Sequence, residues 1–158
     1  MTPFRVLFVC TGNTCRSPMA ELLARIRAEQ LGLEGVAASS AGTSAAECAP
    51  ASAGAQAVAR RYGESLDSHR SRPLTVRRVE EADLVVAMTE RHAREVLRLD
   101  PRAVVILATS VLPEGHPARG AGIPDPFGAG LAEYVETWEA ISECVDALLD
   151  RIADERSD

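Results

Sequence analysis

Residues 5–17 read RVLFVCTGNTCRS, and this stretch decides the fold. RVLFVC (5–10) is a run of β-branched, aromatic and aliphatic residues, as a fully buried strand requires. TGNTCR follows as a loop, and Ser17-Pro18 then opens a helix to about Leu31, with Ser17 at the N-cap and Pro18 at the first helical position. Met19, Leu22, Leu23 and Ile26 give that helix its expected apolar stripe, and Gly32 ends it. The same alternation repeats outward. Residues 35–41 (GVAASSA), 83–88 (DLVVAM) and 103–108 (AVVILA) read as further strands. Helices are expected over 51–62, from a Thr75 cap through Ala82, over 90–99, and over 131–152. In the last of these, Tyr134, Trp138, Ile141, Val145, Leu148 and Ile152 form one face. Strands separated by helices imply right-handed crossovers. Residues 1–158 are therefore expected to form a single α/β, doubly wound domain: a four-stranded parallel sheet with helices on both faces. Ligands in such folds bind beyond the carboxyl ends of the strands, where the 10–17 loop lies.

Composition limits the chemistry. The chain has 158 residues, 46% of them hydrophobic and 25% charged, the balance of a folded globular protein. All 17 basic residues are arginine, which excludes Schiff-base lysine chemistry and the phosphate-loop lysine of nucleoside triphosphatases. The net charge of −6 argues against a nucleic-acid partner. That charge is concentrated in 133–158, with nine acids and two arginines, and the rest of the chain is close to neutral and free to hold an anion site. Met1–Arg5 is too short and polar for a signal peptide, and no apolar run approaches the roughly 18 residues of a membrane span, so no membrane partner is expected. Cys10, Cys15, Cys48 and Cys144 without a secretory signal are expected to be free thiols in a cytoplasmic protein.

The 10–17 loop places a thiol and a guanidinium either side of five residues. Wrapped back on itself, it converges the amides of Thr11, Gly12, Asn13, Thr14 and Cys15 on one point, and Gly12 and Asn13 tolerate the left-handed conformations such a nest needs. The helix N-terminus adds its partial positive charge, and Arg16 can grip two oxygens of a tetrahedral anion. Cys10 would lie at the bottom, its pKa expected to fall from about 8.5 toward the roughly 3.5–7.5 of activated thiols. Ser17 could donate a hydrogen bond to its thiolate. The alternative is a small buried residue ending a strand. Between Gly122 and Gly130, Asp125 sits among turn residues in a long Gly/Pro-rich loop, where a mobile carboxylic acid could protonate a leaving group and then activate water. Cys15 reads equally as a reversible partner for Cys10 or as a loop-packing thiol. His69, His92 and His116 show no metal-ligand spacing, and neither metal nor cofactor is expected.

VCTGNTCRSP matches the Cys-x5-Arg-Ser-Pro loop of the low-molecular-weight protein tyrosine phosphatase family, and the chain resembles that family over nearly its whole length. Ser40-Ala41-Gly42 closing the second strand, ADLVVAM in the third and Asp125-Pro126-Phe127 before the last helix add to the likeness. The resemblance implies a metal-independent phosphatase acting on phosphorylated proteins, with Cys10 as nucleophile, Arg16 binding the phosphoryl oxygens and Asp125 as acid. The phosphoryl group would pass through a cysteinyl-phosphate. His69-Arg70-Ser71-Arg72 matches a family stretch read as supporting structure. A monomer is expected.

The substrate is the open point. A phosphotyrosine pocket wants aromatic walls, yet the 43–51 loop (TSAAECAPA) has none, Gly128 follows Phe127, and Tyr134 and Trp138 lie on the last helix. CTGNTCRSPMAE with ADLVVAMT looks more like the bacterial protein arginine phosphatase branch, in which threonine at the place of Thr14 goes with phosphoarginine selectivity. Phosphoarginine is therefore favoured, with phosphotyrosine the alternative. An arsenate reductase would need two more cysteines near the third strand, and residues 79–92 hold none. A phosphocysteine carrier would keep its phosphate, against which Arg16 and Asp125 speak.

Overall fold

The computed structural model describes residues 2–157. Four parallel strands run in the order β2-β1-β3-β4: β1 (Phe4–Cys10), β2 (Val36–Gly42), β3 (Leu84–Ala87) and β4 (Val105–Leu107). Between and after them lie α1 (Arg16–Gln30), α2 (Ala53–Arg61), α3 (Val76–Glu81), α4 (Glu90–Leu99) and α5 (Leu131–Arg156). The doubly wound sheet is as the alternation implies. Its two faces follow from the pleat of β1. Val6, Phe8 and Cys10 join the larger core under α1, α2 and α5, whereas Leu7 and Val9 face Val79 of α3 and Val96 of α4.

Three expectations need correction. Ser17 is not the N-cap of α1: Cys15 holds that position and its side chain caps nothing, because the Ser17 hydroxyl is drawn inward to Cys10. The buried stripe of α1 is Met19, Ala20, Ala24 and Ala28, with Leu22 and Leu23 only partly covered; the alanines let the helix lie close to the sheet. β4 is three residues long, because Ala108–Val111 turns into a 3-10 helix at the start of the long loop. The α5 face is buried at every position the spacing marks. No helix among the described residues is long and apolar enough to cross a membrane.

The strand order reverses direction between β1 and β3. Their carboxyl ends therefore open a crevice between the loop entering α1 and the loop entering α4, which begins at the Thr89 cap. Met88 anchors the acidic loop there, its carbonyl accepting from the Ile123 amide at 2.9 Å.

Candidate active site

The 10–17 loop is held open by its third residue after Cys10. Asn13 is fully buried and sits at φ 55, a left-handed conformation that Asn tolerates better than most residues. Its side-chain nitrogen donates to Ser17 Oγ at 2.8 Å and to Ser40 Oγ at 2.9 Å, and its side-chain oxygen accepts the Arg72 amide at 2.9 Å. His69, held neutral by burial, donates from Nε2 to the Asn13 carbonyl at 2.7 Å. Ser40 in turn donates to the buried Glu21 at 3.0 Å. Gly12 does not need the left-handed freedom expected of it: only Asn13 in this loop has positive φ, and a Cβ on Gly12 would meet nothing closer than 3.5 Å. The required glycine is Gly42, where a Cβ would strike the Thr11 carbonyl and come within 2.9 Å of the Asn13 amide.

Within that frame the amides of Gly12, Thr14, Cys15 and Arg16 find no acceptor among the described residues, at the N-terminus of an uncapped helix. These residues line one cavity with Cys10, which is 2% exposed. Because Asn13 donates to Ser17 Oγ, the Ser17 hydroxyl proton is free to point at Cys10 Sγ, 2.8 Å away. Burial is the largest influence on the thiol and raises its pKa, contrary to the lowering expected from sequence. Ser17, the Ser17 and Asn13 amides and the Arg16 charge all pull the other way. A sulfur anion here has donors in place of water.

Arg16, itself buried, donates from Nη1 to the Ile123 carbonyl at 2.8 Å, while Nη2 lies 3.6 Å from Asp125 Oδ2. One guanidinium thus ties the cradle to the acidic loop. Asp125 is 48% exposed and accepts the Phe127 amide at 3.1 Å, and Phe127 is 70% exposed. Cys10, Thr11, Gly12, Thr14, Cys15, Arg16, Asp125 and Phe127 line one cavity of about 220 Å³. Phe127 is its only ring. Tyr134 is turned away, in a buried cluster with Cys15 (3.3 Å) and Ser52 (3.1 Å), and burial with the Cys15 bond lifts its pKa to about 12. Cys15 is a free thiol there. Trp138 stacks on Tyr62, with ring centroids 5.2 Å apart.

Two of the three histidines support the cradle. His69 braces Asn13. His92 reaches the Thr11 hydroxyl from Nε2 at 2.8 Å and the Thr89 hydroxyl from Nδ1 at 3.0 Å, and burial together with the charges of Arg16 and Arg91 lowers its pKa to about 4. Only the fold brings these residues, 56 and 81 positions from their loop partners, to the cradle. His116 pairs with Glu143 on the surface. Among the described residues no three His, Cys, Asp or Glu side chains come together as a metal site would need.

Residues 5–158 match the family described as low molecular weight phosphotyrosine protein phosphatase. The chain is 38% identical to a protein-arginine-phosphatase of Geobacillus stearothermophilus, over 96% of this chain and 95% of that one. It is also 38% identical to a low molecular weight protein-tyrosine-phosphatase of Streptomyces coelicolor, over 92% of each. The solved arginine phosphatase from G. stearothermophilus superposes with a TM-score of 0.85 at 35% identity, covering 98% of this chain and 96% of that one. A solved arginine phosphatase mutant with a phosphorylated active-site serine gives 0.88 at 34% identity, covering 97% and 98%. With its cysteine loop after β1, this chain belongs to the low-molecular-weight phosphotyrosine protein phosphatase family and is a cysteine-based protein phosphatase.

Proposed function

We propose that the chain hydrolyses phosphoarginine on proteins through a cysteinyl-phosphate at Cys10, without a metal ion. The observation that carries this is the placement of the Cys10 sulfur, 2.8 Å from the Ser17 hydroxyl, at the base of a cavity that also holds Arg16 and Asp125. The Cys10 thiol first loses its proton to solvent. Its sulfur then forms a bond to phosphorus as the P–N bond to the guanidinium nitrogen breaks, and Asp125 gives its proton to that nitrogen. The Arg16 guanidinium and the unpaired amides of Gly12, Thr14, Cys15 and Arg16, with that of Thr11, hold the three non-bridging oxygens as charge builds on them, while the Asn13 amide stays on the sulfur. Asp125, now a carboxylate, takes a proton from water, whose oxygen attacks phosphorus and breaks the S–P bond. Ser17 stabilises the departing thiolate. The phosphorylated serine in the solved relative supports phosphoryl transfer to this position of the loop.

For the substrate, Thr14 and Phe127 carry the preference. Thr14 lines the cavity with a small hydroxyl-bearing side chain where a larger alkyl group would crowd a planar guanidinium, and Phe127 is a single exposed ring. The arginine phosphatases among the relatives agree with this choice. Phosphotyrosine remains the second reading, favoured by the S. coelicolor relative at the same 38% identity. Turnover on matched phosphoarginine and phosphotyrosine peptides decides between them: the phosphoarginine peptide should be the better substrate by kcat/KM, and the reverse order overturns the preference. Thr14→Ile should cut phosphoarginine turnover by roughly 10–200-fold, the reach of one pocket side chain, and spare an aryl phosphate; equal loss on both assigns Thr14 no selectivity.

A further inference from the structure

We propose that His92, as a neutral Nε2–H tautomer, is a positioning residue that fixes the Thr11 hydroxyl so that its proton points at the bound phosphoryl group. The inference rests on the phosphatase reading of the 10–17 loop and adds a donor to it. His92 is 3% exposed in the first turn of α4, and that turn is reached from β3, the strand beside β1. Nothing in the local sequence ties it to the loop.

The tautomer follows from proton accounting. Thr89 Oγ1 accepts the His92 backbone amide at 3.4 Å as the cap of α4, so its own hydroxyl proton is available. The other polar atom within reach is His92 Nδ1 at 3.0 Å. If Nδ1 accepts that proton, Nε2 carries the ring hydrogen and donates it to Thr11 Oγ1 at 2.8 Å. With the opposite tautomer, the Thr89 hydroxyl proton has no acceptor among the described residues. Thr11 Oγ1 also lies 3.5 Å from Arg16 Nη2, a second donor. With N–H groups on two sides, the Thr11 oxygen is an acceptor toward the protein, and its one proton is left for the cavity that Thr11 lines. Ring protonation would remove the Nδ1 acceptor and break the relay at Thr89. Burial and the neighbouring Arg16 and Arg91 oppose that protonation, while Asp125 favours it.

The partition of roles is sharp: Thr89 sets Nδ1, His92 sets Thr11, and Thr11 touches the substrate. His92→Gln keeps a side-chain N–H near the place of Nε2; His92→Asn reaches only the place of Nδ1. Thr11→Val keeps the shape and removes the hydroxyl. The account expects Thr11→Val and His92→Asn each to lower kcat about tenfold, the worth of one hydrogen bond to a charged group. The double variant should be no worse than either single one, because both remove the same donor, and His92→Gln should recover most of the rate. Nitrogen-15 chemical shifts of the His92 ring in the ligand-free protein give a readout independent of turnover: Nε2 should be protonated and Nδ1 bare at neutral pH. An Nδ1–H tautomer, additive losses in the double variant, or a His92→Gln variant as slow as His92→Asn would each overturn the proposal. Failure of the phosphatase reading shows separately, as wild-type protein that does not turn over phosphorylated peptides.

Discussion

The 10–17 loop and the loop carrying Asp125 face each other across one cavity, yet they are built in opposite ways. In the first, Asn13 and Ser17 are fully buried and each side chain is tied to at least two others; in the second, Asp125 and Phe127 are largely exposed and Asp125 has one backbone bond and one long contact to Arg16. Charge stabilisation of a phosphoryl group gains from donors that are already in place. A proton donor on an exposed loop can instead let substrate in and product out. The contrast predicts that breaking the buried network around Asn13 damages fold and rate together, and that changes at Asp125 damage rate alone.

The largest effect belongs to the nucleophile. Cys10→Ser should lower turnover by at least about 10⁴-fold, since the chemistry passes through that atom, with the melting temperature nearly unchanged; a rate within tenfold of wild type would remove Cys10 from the mechanism. Asp125→Asn should cost roughly 10²–10⁴-fold on substrates with poor leaving groups, far less on para-nitrophenyl phosphate, and nothing in thermal stability. An equal loss on both leaving groups would take away its acid role. Asn13→Ala is where the two regions part. It strands the Arg72 amide, takes one donor each from the Ser17 and Ser40 oxygens and leaves alanine at positive φ, so chemical denaturation should show a loss of about 2–3 kcal/mol together with a fall in kcat. Full stability with lost activity would mean that the network does not hold the loop. Ser17→Ala should have the smallest effect, roughly tenfold in kcat. Without the hydroxyl that opposes burial, the pH midpoint for Cys10 alkylation should move up, and a downward move would contradict the assigned direction of that hydrogen bond.

The same contrast explains what the sequence reveals. The strand-loop-helix at 5–17 is legible because local pattern determines it, and Asp125 is legible because glycines and prolines bracket it. Ser17 is misread as a cap because capping is a local rule, and a buried thiol seven residues earlier outcompetes it. His69 is noticed only as part of a supporting stretch and Ser40 only as part of a strand end, and the role of His92 is not seen at all, because their value comes from contacts across the sheet, not from spacing. The direction of the Cys10 shift is misjudged for a similar reason: donors can be counted along a chain, but the depth of burial cannot. Gly42 could have been found, since a glycine ending a strand beside a tight loop signals a close backbone approach.

The most direct test is to trap the phosphoenzyme. An Asp125→Ala variant, rapidly quenched with a phosphoarginine peptide and digested, should yield the peptide containing Cys10 heavier by one phosphoryl group, with the label lost on adding Cys10→Ala. Rapid turnover with no phosphorylated Cys10 peptide at any quench time, or a label on another residue, would contradict the account.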